Sequence, residues 1–170
     1  MKEAIQTLIT SDKMAHAFEY LKQDEAHTID QQIELVQISS FSPFEEKRAI
    51  RFKELLTEAS LDPVMDEVHN VYAHIHGTGN GPTLYVSAHL DTVFPPETPL
   101  PVKREGTKIY APGIGDDTRG LAEILTLARA IKESGLKPVG DIIIGGNVGE
   151  EGLGDLRGMR HILLTKYRQG

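Results

Sequence analysis

Apolar residues recur at helical spacing along the first forty positions. Met14, Ala17, Phe18 and Leu21 share one face behind Ser11, a capping residue type, and Thr28 with Gln31 makes a capping-box spacing ahead of Ile29, Ile33 and Val36. These two patterns predict two helices. A third is marked by Ser42-Pro43-Phe44-Glu45, which offers a cap, a proline at the first helical position and a Glu at the third. Ala49, Phe52, Leu56 and Ala59 form its apolar stripe.

From Leu61 the period shortens to two. Val71, Ala73 and Ile75 alternate with Tyr72, His74 and His76, the turn-rich GTGNGP follows, and TLYVSAH comes next, a pattern that predicts a β-hairpin. VKREGTKIYA predicts a second strand pair turning near Glu105-Gly106. Leu121, Ile124, Leu125, Ala128 and Ile131 then return to helical spacing, and GLKPVG ends that helix. DIIIGG is apolar enough for a strand buried on both faces, and MRHILLTKY opens a last helix. Strands alternating with helices on this scale predict one layered α/β domain with a mixed sheet.

Composition narrows the chemistry. The chain has 170 residues, with 25 acidic against 18 basic side chains and no long basic cluster, which argues against a nucleic-acid surface. The absence of cysteine removes disulfides, thiol nucleophiles and Cys-type zinc sites, so any metal must be held by His, Asp and Glu. No signal-peptide core or membrane-length apolar run is visible, and the expectation is a soluble cytoplasmic protein without a membrane partner.

Three clusters stand where a strand ends or a loop enters a helix: His89 with Asp91, Asp116 with Asp117, and Glu150 with Glu151. Each has an ordinary structural explanation. A strand-end histidine can be satisfied locally, Asp91 can accept a backbone N–H, paired aspartates cap helices, and a Glu pair can be solvated. Together they share one placement, at strand-to-helix passages flanked by Gly113, Gly115, Gly120, Gly146, Gly149 and Gly152, and the carboxyl ends of strands in α/β sheets are where ligands bind. A phosphate loop does not fit. Gly115 and Gly120 have the right interval, but Leu121 stands in place of lysine, and Thr118 stands where a dinucleotide fingerprint needs its third glycine. An imidazole with carboxylates suits a divalent cation, zinc first and manganese or cobalt as alternatives. A bridging carboxylate could serve two ions about 3.5–4 Å apart, and such ions lower the pKa of bound water to about 7. Adjacent Glu150 and Glu151 could divide the remaining work, one on the metal and one taking the proton.

SAHLDTV, APGIGDDTRGLAEIL and GNVGEEGLG, in that order, with ISSFSPFEEKRAI ahead of them, resemble the M20 family of metallopeptidases and amidohydrolases, a group that includes peptidase T, glutamate carboxypeptidases and acylamino-acid deacylases. The likeness runs from about residue 28. It implies a three-layer zinc-exopeptidase-type fold. It also implies that His89 binds one zinc, Asp116 bridges, Glu151 binds the other zinc, and Asp91 and Glu150 form the catalytic pair, Asp91 orienting the imidazole and Glu150 serving as general base. The DDTRGLAEIL segment is nearest the tripeptidase branch, with Thr118-Arg119 in place of Lys-Ala.

Family members also carry a lid or dimerisation domain, a further acidic ligand and a late histidine, and His161 is not in place to supply the last. Residues 1–170 are therefore expected to be the N-terminal part of a catalytic domain, inactive alone and prone to self-association through an uncovered strand edge. For the parent protein the expectation is a zinc exopeptidase acting on short peptides. The alternatives are deacylation of acyl amino acids, carboxypeptidase action, a catalytically inactive binding module, or a site completed by another chain.

Overall fold

The computed structural model describes residues 2–165. Helices α1 (Lys2–Ile9), α2 (Asp12–Gln23), α3 (Glu25–Val36) and α4 (Glu46–Glu58) come first, then strands β1 (Val64–Met65), β2 (Val71–Ile75), β3 (Leu84–His89), β4 (Lys103–Glu105) and β5 (Lys108–Tyr110). Helix α5 (Thr118–Glu133), strand β6 (Ile142–Asn147) and helix α6 (Arg157–Thr165) complete the order, and the expected continuation of α6 through Lys166 and Tyr167 lies outside the described residues. The result is the mixed α/β domain with a mixed sheet that the periodicity implied.

The first forty residues hold three helices, not two. The third helix of the chain begins at Glu25, so Thr28 lies inside it and bonds back to the Asp24 carbonyl at 3.0 Å instead of capping. The expected box fails because Gln31 is drawn across to Arg129 on α5, at 2.8 Å. Helix α4 likewise starts at Glu46, after the Ser42-Pro43 peptide, which is cis, and Ser42 instead accepts a hydrogen bond from Arg157 at 3.0 Å. Its stripe is as expected: Ala49, Phe52, Leu56 and Ala59 are buried, together with Leu55.

The larger correction concerns the sheet. Its order is β1-β2-β6-β3, so β2 and β3 are not a hairpin: β6 lies between them, antiparallel to β2 and parallel to β3. The glycines of GTGNGP serve a different contact. A Cβ on Gly77 would stand 2.5 Å from the Val139 carbonyl oxygen, and one on Gly81 would stand 2.5 Å from the Gly140 nitrogen, so these glycines let two loops pass backbone to backbone. The segment that reads as a hairpin turn is thus a crossing point beside the start of β6. The β4–β5 ribbon does form as its spacing predicts, with Gly106 at φ +59° in the turn.

Strand β6 is paired on both edges and buried from Ile143 to Asn147, as its unbroken apolar run requires. Helices α4 and α5 pack on the sheet, while α2 and α3 pack on α5. Leu121, Leu125, Phe52, Leu56, Leu90 and Ile144 meet in the core between them, fully buried. Each such side chain contributes about 1.5–3 kcal/mol by leaving water. Among the described residues no helix is long and apolar enough to cross a membrane.

Candidate metal centre

Parallel pairing sets His89 of β3 opposite Asn147 of β6, so both strands deliver their carboxyl ends to the same edge of the sheet. Three local contacts hold the segments that leave this edge. Asp117 caps α5 by accepting from the Gly120 N–H at 3.1 Å, and its other oxygen accepts from the His89 N–H at 3.0 Å, tying helix start to strand end. Only glycine fits at position 120, where a Cβ would stand 2.3 Å from the Asp117 carboxylate. Asp91, fully buried, accepts from the Glu150 and Glu151 N–H groups at 3.1 and 2.8 Å and so fixes the loop after β6. Between them the Leu90 carbonyl accepts from Ser40 at 2.7 Å and from the buried Arg48 guanidinium at 2.9 Å. Burial pulls the Arg48 pKa down to about 10 against the opposing pull of Asp91.

On this frame His89, Asp116 and Glu151 each present a ligand atom, and the three atoms lie within 4.8 Å of one another. The His89 Nε2 is 2.8 Å from Asp116 Oδ1. Its Nδ1 is 3.0 Å from the Asp91 carbonyl oxygen, with the Asp91 Oδ1 farther off at 3.7 Å, so the main chain of Asp91 orients the ring while its carboxylate holds the neighbouring loop. A ring that donates from Nδ1 leaves Nε2 as the metal-facing atom. The Glu150 carboxylate is exposed and stands outside the three-residue set, although its backbone is fixed by Asp91.

The electrostatics of the cluster call for a cation. Burial alone would lower the His89 pKa, but hydrogen bonds with Asp91 and Asp116 outweigh it and lift the value to about 9. Burial and then repulsion from Asp116 raise Glu151, and burial raises Asp117 against the N–H groups that favour its charge. Asp91 is the exception: burial opposes its charge, and the nearby His89 ring with the two Glu amides overcomes that and lowers its pKa. One imidazole thus faces more carboxylate charge than it can neutralise, and an added divalent ion would relieve the excess. Three donors equal the protein ligand count of a single catalytic zinc site, so two ions would need further ligands.

Beside the cluster runs a groove of about 500 Å³ whose lining includes Phe41, Pro43, Val93, Leu153, Glu151 and Arg157. Arg157 is already neutralised, being paired with the buried carboxylate of Glu45 and hydrogen-bonded to Ser42.

Several residues that build this site carry no motif. Arg48 lies four positions before Phe52 on the same helix stripe, and a charge on an apolar face was the available signal. Asn70 gave none: it sits 78 positions from Val148, yet its Oδ1 accepts from the Val148 N–H at 3.1 Å and its Nδ2 donates to Gly158. Thr118 is buried and donates to the Gly113 and Ile114 carbonyls, closing the loop that carries Asp116, while Arg119 is exposed and pairs with Glu123.

Comparison with known proteins bears on this geometry. Residues 85–168 match the model of peptidase family M20/M25/M40. Carboxypeptidase G2 of Pseudomonas sp. (strain RS-16) is 38% identical over 84 residues, which is 48% of this chain and 20% of the carboxypeptidase. Among solved structures, a tripeptidase from Staphylococcus aureus superposes with a TM-score of 0.65 at 30% identity, over 82% of this chain and 40% of the tripeptidase. The aminopeptidase PepT of Bacillus cereus does so with a TM-score of 0.61 at 26% identity, over 72% of this chain and 36% of the aminopeptidase. The chain therefore spans well under half the length of each of these relatives.

Proposed function

Because the chain matches the M20 peptidase family, we propose that it is the N-terminal part of the catalytic domain of a zinc-dependent exopeptidase that hydrolyses short peptides, within a three-layer architecture completed by a lid or dimerisation domain and further ligands. The observation that carries this is the approach of His89, Asp116 and Glu151 to within 4.8 Å from three separate segments.

In this reading His89 Nε2 would serve one zinc, the Glu151 carboxylate a second, and Asp116 both, with the remaining ligands supplied from elsewhere in the parent protein. Manganese or cobalt would suit the same donors. Bound metal supplies Lewis acidity, polarising the scissile carbonyl and lowering the pKa of water. The chain's own residues do the rest. Asp91 keeps the His89 ring oriented through its carbonyl and keeps Glu150 and Glu151 in register through its carboxylate. Glu150, solvent-facing and adjacent to a ligand, takes the proton of the attacking water and returns it to the leaving amine. The groove past Glu151 receives a substrate side chain. Its walls are apolar and its one cation is already paired with Glu45, which supports an apolar side chain over the glutamate a carboxypeptidase of that specificity would need.

The test is a panel of tripeptides, N-acetyl amino acids and peptides ending in glutamate, given to the full-length natural protein with zinc. Tripeptide hydrolysis is expected. Glu150→Gln should lower kcat by about 10²–10⁴-fold with zinc affinity unchanged. Activity confined to acyl amino acids would replace the peptidase reading with a deacylase. Hydrolysis that survives Glu150→Gln would remove Glu150 from the proton-transfer role.

A further inference from the structure

The opposite end of the sheet brings together side chains of metal-ligating types, although more loosely than the His89 cluster does. Strand β2 runs antiparallel to β6, so its last residues lie beside Asp141, where the chain enters β6. Alternation at this end places Ile75 against the core and sends His74 and His76 to the other face. Their rings are 6.0 Å apart between centroids and 28° from parallel. Asp141 Oδ2 stands 3.8 Å from His76 Nδ1, and the other Asp141 oxygen accepts from the Gly77 N–H at 2.8 Å, which anchors the carboxylate beside the pair. The His76 and Asp141 side chains are 81% and 41% exposed, and His74 is exposed as well, so solvent reaches the set freely.

We propose that His74, His76 and Asp141 form a surface chelate for a borderline divalent transition ion, copper(II), nickel(II) or zinc, separate from the His89 cluster. Imidazole suits these ions, and two metal–nitrogen bonds of about 2 Å bring the ligand nitrogens to within about 4 Å of each other. The rings need only side-chain rotation to reach that separation. The His76 ring is free in solvent, while the His74 ring rests edge-to-face on Tyr72, 6.4 Å between centroids, so closing the pair falls mainly to His76. The same-face i, i+2 placement keeps both imidazoles on one side of the sheet throughout. Asp141 adds a carboxylate already held in place by the Gly77 amide.

The chemistry also has a structural consequence. An ion held by β2 residues and by Asp141 crosslinks the end of β2 to the start of β6, the strand that also positions the His89 cluster at its far end. Binding to the folded chain and not to the unfolded one raises the melting temperature with ion concentration.

Two measurements test this. Copper(II) added at substoichiometric amounts to the ¹⁵N-labelled chain should broaden amide signals in two separate zones, around His89 and around residues 74–76 and 141. The second zone should vanish in His74→Ala and in His76→Ala while the first remains. Zinc or nickel calorimetry should then show a surface binding event weakened at least tenfold by either histidine substitution and several-fold by Asp141→Asn, which keeps an acceptor for Gly77. Unchanged affinity in the His74→Ala/His76→Ala double variant, or copper broadening confined to the His89 zone, overturns the proposal. All three side chains are exposed, so loss of the fold is not expected to obscure the result, and broadening of the unsubstituted chain is informative without any variant.

Discussion

Two polar clusters in this molecule each gather partly buried charge and behave oppositely. Where α2 and α3 meet α5, the buried Asp24 carboxylate accepts from Thr126 at 2.7 Å and from Arg129 at 3.0 and 2.5 Å, and Arg129 also donates to Gln31. Burial opposes the Asp24 charge, but the bonds from Arg129 and Thr126 prevail and its pKa falls. At the end of β3 and β6, one imidazole faces Asp91, Asp116, Asp117 and Glu151, and the carboxyls of Asp117 and Glu151 are pushed up. The first cluster is electrostatically complete and joins helices. The second is short of positive charge, which marks a place for an ion. The difference lies less in how many charged groups are gathered than in whether their charges cancel.

Breaking the complete cluster should cost the most. Arg129→Ala would leave Asp24 buried without its cation, and a loss of about 3–5 kcal/mol is expected in urea unfolding, with zinc affinity of the remaining folded protein unchanged. A loss near zero would mean that Asp24 does not depend on its partner. At the incomplete cluster, Asp91→Asn keeps the main-chain contact to the imidazole but weakens the hold on the Glu150 and Glu151 amides. Zinc affinity should fall about 10–100-fold by calorimetry, and an unaltered affinity would show that loop placement is set elsewhere.

The smallest effect is the most discriminating, because the two clusters respond at opposite ends of the pH scale. His89 has its pKa raised on folding from 6.5 to about 9, so in metal-free protein its contribution is fully present below about pH 6.5 and is lost as pH rises through about 9. Asp24 has its pKa lowered from 3.8, so its contribution is present above that value and is lost as pH falls through the lower folded-state value. Urea midpoints measured across pH should therefore decline at both extremes. His89→Asn should flatten the alkaline side alone, and an unchanged alkaline slope would contradict the imidazolium assigned to the metal-free site.

Much of the fold was legible along the chain where the signal is local. The α5 stripe from Leu121 to Ile131, the buried run of β6 and the β4–β5 turn at Gly106 all form as their spacing requires. The α3 start was misplaced because Gln31 and Thr28 are satisfied by a partner helix and by Asp24, not by their own backbone termini. The β2–β3 hairpin was misread because a glycine-rich tract looks the same whether it turns a hairpin or lets two loops touch, and Gly77 and Gly81 do the latter. The candidate site was legible as residue types at three strand-to-helix passages, Asp117 included as a helix cap, but its support Asn70 acts across the fold and carries no spacing of its own, and Arg48 showed only as a charge on an apolar stripe.

By itself, the sequence determined which residues could be helical or extended and which side chains could ligate a metal, because both follow from neighbours a few positions apart. Only the tertiary structure decided that β6 separates β2 from β3 and that His89, Asp116 and Glu151 meet. Strand order and convergence depend on which buried faces pack best among segments dozens of residues apart, and that competition is settled by burial of the whole core, not by any local period.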